Sequence, residues 1–154
     1  MIITTNLDEV LGRLVGKLQD LNNPNGEARD LMLRQVASDT VAQVTYRIHT
    51  EGLNSAGKPI GEYANSYMKI RESSKYNRSS SKKIIFSLSG QMENDFNIVA
   101  NQANHYGLGF KNTINADKAQ WLQERFGRVY DLTEKEKDHA NLVANDFIAE
   151  YLNG

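Results

Sequence analysis

The chain has 154 residues, 40% of them hydrophobic and 24% charged, with a formal net charge of −1 and no cysteine. A chain of this size makes one domain, 1–154, able to bury a core, and the missing cysteine excludes disulfides, thiolate metal centres and a cysteine nucleophile. The near-neutral balance argues against a general nucleic-acid binder, which carries a basic surplus.

The opening MIITTNLDEV has neither a basic n-region nor a long apolar core, so it does not read as a signal peptide. No run approaches the roughly 20 apolar residues of a membrane span, and a soluble protein is expected. Residues 7 to 21 give the clearest helix, with Leu7, Val10, Leu11, Leu14, Val15, Leu18 and Leu21 on one stripe that is expected to be buried. Asn6 is its candidate cap, and Asp8 and Glu9 stand where the helix dipole favours negative charge. Gly12 and Gly16 fall on the far face, each costing about 1 kcal/mol against Ala. They read either as surface glycines or as a flat spot for another chain.

Asn22-Asn23-Pro24-Asn25-Gly26 is a turn, and a long helix is expected from Glu27 to Thr50, ended by Gly52 in a left-handed conformation. The two helices should form an antiparallel hairpin, with Arg29, Arg34 and Arg47 on solvated faces. After a Gly- and Pro-bearing loop, Tyr63, Tyr67 and Ile70 share one helical face and read as satellite core. Ser73 to Ser81 holds five serines and reads as a loop. Three strands are expected beyond it: Ile84-Ile85-Phe86 with the alternation through Ser89, then Asp95 to Asn101, then Tyr106 to Phe110. Asn115 is the candidate cap of a helix from Ala116 to Phe126, with Gly127 as its stop and Trp121 among its apolar contacts. Thr133 followed by Glu136 is a capping box for the last helix. The fold class is α+β: a small antiparallel sheet of about three or four strands, flanked by an N-terminal helical hairpin and a C-terminal helix.

Reactive chemistry is thinly written. His49, His105 and His139 are scattered, with no HExxH or His-x-His spacing. Glu93 and Asp95 read as solvated carboxylates rather than an acid/base pair. No phosphate loop or GxSxG elbow appears, so the sequence points to no enzyme and no cofactor. Charge is more informative. Lys69, Arg71, Lys75, Arg78, Lys82 and Lys83 stand against Glu72 alone, a net +5, while 131–150 carries a net −4. A basic loop and an acidic helix suit self-association or a charged partner, and equally a loop kept soluble by its own charges.

Several segments, in order, resemble the phage virion-morphogenesis and tail-completion proteins, the Mu-like family of neck and head–tail joining factors. They are RIHTEG (Arg47 to Gly52), the Tyr63/Tyr67/Arg71 segment, Leu88-Ser89-Gly90-Gln91-Met92, ANHYGLGF (Ala103 to Phe110), Arg125-Phe126 and DLTEKEKD before the terminal helix. The resemblance spans roughly residues 45 to 152. It departs at Gln123-Glu124-Arg125-Phe126-Gly127, where the family shows a Pro-Ala-Arg-Pro-Phe-like run, and in the Trp121 helix. The resemblance implies a non-enzymatic assembly protein that forms a homo-oligomeric ring on a connector, neck or tail partner, in host cytoplasm during assembly and then in the virion. Its candidate assembly interface is Lys69, Arg71, Lys75, Arg78, Lys82 and Lys83, carried on a mobile loop at about 71–83. No membrane partner is implied. The alternative is a small nucleic-acid- or protein-binding module using the basic loop 69–83.

Overall fold

The computed structural model describes residues 7–102 and 105–154. The candidate cap at Asn6 lies outside those residues, as do Ala103, Asn104 and the side chain of His105. Among the described residues the chain runs α1 (Leu7–Asn22), α2 (Glu27–Tyr46), a π-helical turn (Arg47–Glu51), α3 (Asn65–Arg71), α4 (Gln91–Asp95), β1 (Phe96–Gln102), β2 (His105–Phe110), α5 (Thr113–Phe126) and α6 (Glu134–Asn153). No described helix is long and apolar enough to cross a membrane.

The architecture is α+β, but among the described residues the sheet has two strands rather than three or four. Strands β1 and β2 form an antiparallel hairpin with Phe96 opposite Phe110 and a bulge between Ile98 and Ala100. The inward row of this hairpin meets the connector after α5. The Phe96 and Phe110 rings lie 5.4 Å apart, and Tyr130 packs edge-on to Phe110 at 5.2 Å. The core centres on Val44, Ile48, Ile84, Phe86, Phe96 and Val129.

The expected strand at 84–89 is absent for a local reason. Residues 61–63 and 82–84 do begin to pair, with a single antiparallel bridge between Glu62 and Lys83. The pairing stops because Phe86 takes a positive φ of 47°, where a strand cannot continue. Ile84 and Phe86 are still buried, so their alternation reports burial rather than a ladder.

The helix expected to Thr50 is α-helical to Tyr46 and then widens into the π turn, which Gly52 ends at φ 68°. Widening puts three consecutive residues, Arg47, Ile48 and His49, inside the protein. Gly52 is required twice over, because a Cβ there would also stand 2.5 Å from the Ile84 carbonyl oxygen. The α5 cap is Asn112, whose side chain accepts from Ile114 N at 2.8 Å; Asn115 lies within the helix. The Thr133/Glu136 capping box forms as expected.

The leucine stripe of α1 is not buried. Helix α1 rests on α2 and on the end of α6, where Lys17 donates to the Gly154 carbonyl at 2.7 Å and Tyr151 donates to Asp20 at 3.1 Å. That contact uses one edge of the stripe, leaving Leu14 and Leu21 half-buried and Val10, Leu11, Val15 and Leu18 exposed. A Cβ at Gly12 or Gly16 would meet nothing within 4 Å.

Candidate functional site

Four polar residues, Arg47, His49, Arg71 and Glu136, point inward. Arg47, expected on a solvated face, is 5% exposed. Its Nε donates to Glu136 Oε1 at 2.6 Å and its Nη2 to Oε2 at 3.3 Å. The remaining donors reach the carbonyls of Leu53, Val129 and Asp131 at 2.9–3.0 Å. One guanidinium thus ties the π turn, the 52–60 loop, the connector after α5 and the first turn of α6. Glu136 Oε2 also accepts from Thr133 N at 2.9 Å, so the capping box and the ion pair share one carboxylate.

A second polar group surrounds residues 84–88. Instead of a neighbouring strand, side chains satisfy this backbone. Ile85 N–H donates to the Tyr63 hydroxyl at 3.2 Å, and the Ile85 carbonyl accepts from His49 Nδ1 at 2.9 Å. The Ser87 carbonyl accepts from Arg71, and the Leu88 carbonyl from Arg78 Nε at 2.8 Å. Arg71, 1% exposed, also lies over the Tyr63 ring at 4.3 Å. Glu93 closes the cluster: it accepts from the Ser87 hydroxyl at 2.6 Å and lies 3.3 Å from His49 Nδ1. Burial pushes the His49 pKa below its usual value, against the Ile85 carbonyl and Glu93, which favour its charged form. Burial, and then Glu93, push the Tyr130 hydroxyl pKa up, keeping it protonated. Glu93 is therefore no solvated carboxylate. Asp95 holds the base of the hairpin to α5, accepting from Asn112 N at 2.9 Å and Asn115 Nδ2 at 3.0 Å. Those two contacts, the backbone N–H first, hold its pKa below the usual value.

The six cations expected to form one interface divide. Arg71 is sealed inside, and Arg78 is committed to the Leu88 carbonyl with its side chain 33% exposed. Lys69, Lys75, Lys82 and Lys83 remain on the surface. The segment at 71–83, expected to be mobile, is hydrogen-bonded within itself and to residues 87–88. Arg78 N–H donates to the Arg71 carbonyl at 2.8 Å, Asn77 N–H to the Ser73 carbonyl at 2.7 Å, and both arginines hold the 87–88 carbonyls. Arg71 is thus removed from the interface set, because a residue closed off by its own chain offers nothing to a partner.

Above the 84–92 segment lies a groove of about 820 Å³. Its apolar floor and walls include Tyr67, Phe86, Met92, Trp121 and Phe126, and Lys118 and Arg125 stand on its α5 side. Trp121, expected to supply core contacts, is 57% exposed, with the Arg125 guanidinium 5.8 Å from its ring. A broader space of about 980 Å³ separates α2 from β2 and α5, lined among others by Ala37, Thr40, Leu108 and Ala119. Among the described residues no group of three or more His, Asp or Glu could hold a metal ion. His139 pairs with Asp39 across the α2–α6 contact at 2.9 Å.

Sequence signals for this arrangement existed only in part. The groove was missed because its walls come from three separated segments, 62–67, 84–92 and 118–126. The run of three inward residues at 47–49 breaks helical spacing, so periodicity alone assigns Arg47 to the surface. Compared with protein-family models, curated proteins and solved structures, the chain matches none.

Proposed function

We propose that this chain is a non-enzymatic structural component of a tailed-phage particle, acting at the head–tail joint or in tail completion as an oligomer on a connector or tail tube. The reading starts from the resemblance. The observation that carries it further is how the resembling segments use their polar residues. Arg47 of RIHTEG meets Glu136 of DLTEKEKD, Arg71 holds the carbonyl just before Leu88, and Phe126 packs on Phe86 at 5.8 Å between ring centres. These motif residues hold a scaffold together instead of converging on an open reaction centre. Meanwhile large apolar side chains stand outward on α1, α5 and α6, among them Leu11, Val15, Leu18, Trp121 and Leu142. Surface of that kind suits a subunit that is covered in an assembly.

A phage genome encoding this chain supplies the test. Deleting the gene should leave filled heads and finished tails separate in the lysate, and adding the purified chain should join them. Fully joined infective particles from the deletion strain would refute the reading. A second reading, a binding module for nucleic acid or protein, is favoured by Lys69, Lys82 and Lys83, which have no carboxylate within 4.0 Å among the described residues. Under that reading, affinity for an oligonucleotide falls steeply with salt.

A further inference from the structure

The groove and helix α6 carry complementary patterns. On α5, Lys118, Trp121, Leu122 and Arg125 are spaced i, i+3, i+4 and i+7, so they lie on one helical face, and all four line the groove. That face reads cation, aromatic and aliphatic, cation. Neither Lys118 nor Arg125 has a carboxylate within 4.0 Å among the described residues. Arg125 lies against the Trp121 and Phe126 rings instead.

Helix α6 presents the opposite pattern. Asp138, Leu142 and Asp146 are spaced i, i+4 and i+8, and all three are exposed, Leu142 at 57%. The inner side of the helix is committed to its own chain: Glu136 binds Arg47, His139 binds Asp39 and Tyr151 binds Asp20. Asp138 and Asp146 have no cation within 4.0 Å among the described residues. The row reads acid, aliphatic, acid.

The two rows also match in length. At about 1.5 Å rise per residue, Asp138 and Asp146 are about 12 Å apart along α6, and Lys118 and Arg125 about 10.5 Å apart along α5. No residue of α6 lines the groove of its own chain. We infer that the α6 row of one copy docks in the aromatic groove of a second copy, with Leu142 entering between Trp121 and Met92 and the two aspartates meeting Lys118 and Arg125. An exposed aliphatic side chain gains by entering an aromatic pocket, and flanking charge pairs fix the register more than they add affinity. Because the two patches differ, the contact is head-to-tail, and each added subunit presents a fresh groove and a fresh row. This deepens the assembly reading and rests on it for self-association.

The test uses the full chain in sedimentation over a range of protein concentrations and salt. Three variants change only exposed positions: Lys118→Glu with Arg125→Glu, Asp138→Lys with Asp146→Lys, and Leu142→Asp; circular dichroism checks each fold. The wild type should associate, less so at high salt. Each variant alone should lose about tenfold or more in affinity, as truncating an anchor of an interface does. An equimolar mixture of the two charge-reversed variants should recover association, and adding Leu142→Asp to both should abolish that recovery. A wild type that stays monomeric at every concentration overturns the contact together with the self-association in the assembly reading. Association that persists undiminished in all three variants overturns this contact alone. Binding of a single-stranded oligonucleotide that Lys118→Glu with Arg125→Glu abolishes, with self-association unchanged, would assign the groove to nucleic acid and overturn it too.

Discussion

Replacing Arg47 tests the account of the fold most directly. The side chain makes two bonds to Glu136 and one each to the carbonyls of Leu53, Val129 and Asp131, in a site where arginine and glutamate are 5% and 7% exposed. Arg47→Ala leaves a buried carboxylate without its cation, a loss of about 3–5 kcal/mol for pairs of this kind. Three carbonyls lose their donor as well, although water entering the vacated space recovers part of that. Native domains hold only about 5–15 kcal/mol in total, so Arg47→Ala should be poorly folded or nearly so. Glu136→Gln is gentler: its one oxygen, placed where Oε2 stands, still accepts from Arg47 Nη2 and Thr133 N. Its NH2 then faces the Arg47 Nε donor, so the loss should be at least the roughly 1.5–3 kcal/mol of a hydrogen bond to a charged group. Urea unfolding followed by circular dichroism gives both values from the midpoint shift at constant slope. If Arg47→Ala moved the midpoint by less than about 1 kcal/mol, arginine would be solvated in solution and the four-segment tie would not exist.

Two further outcomes are expected of the free chain. His49 has its folded pKa lowered, first by burial, so the unfolded chain binds its proton more readily. Stability should therefore fall as pH drops through about 6.5 toward the folded value, and His49→Gln should flatten that part of the profile. An unchanged profile in the variant would place the acid sensitivity elsewhere. Leu11→Ala and Leu18→Ala, at positions about half exposed, should each cost less than about 1 kcal/mol, whereas Val44→Ala, at a fully buried position, should cost about 2 kcal/mol or more. Equal losses at all three positions, measured in dilute monomer, would show that α1 is buried after all.

Local signals were readable where the chain obeys one local rule at a time. The capping box at Thr133, the glycine stops at Gly52 and Gly127 and the hairpin at 96–110 follow from capping, left-handed φ and alternation, and each appears. The failures share a cause. The α1 stripe has the period of a buried helix, but periodicity gives only which face is apolar, not whether this chain covers it. Ile84 and Phe86 alternate as in a strand, yet no partner strand is supplied, and long-range arginine and histidine contacts take over the backbone. Arg71 and Arg78 belong to a run that composition marks as a solvated loop; only the tertiary fold shows that they are aimed inward. The groove was illegible because its patterned row on α5 is significant only beside walls that lie some thirty to sixty residues earlier in the chain.

The side-chain caps over 84–88 also bear on aggregation. Ile-Ile-Phe-Ser-Leu is a short apolar run with high β-propensity and no charge, the composition that stacks between molecules when its backbone is free. In the native chain the carbonyls of Ile85, Ser87 and Leu88 are occupied by His49, Arg71 and Arg78, and the Ile85 amide by Tyr63. A foreign strand finds no row of open hydrogen-bonding groups there, which is the protection that natural sheets otherwise obtain by covering or charging their edges. The two arginines thus act as gatekeepers placed in space rather than in sequence. Substituting Arg78 by alanine frees the Leu88 carbonyl, and the expected outcome is a chain that keeps its fold but precipitates on standing.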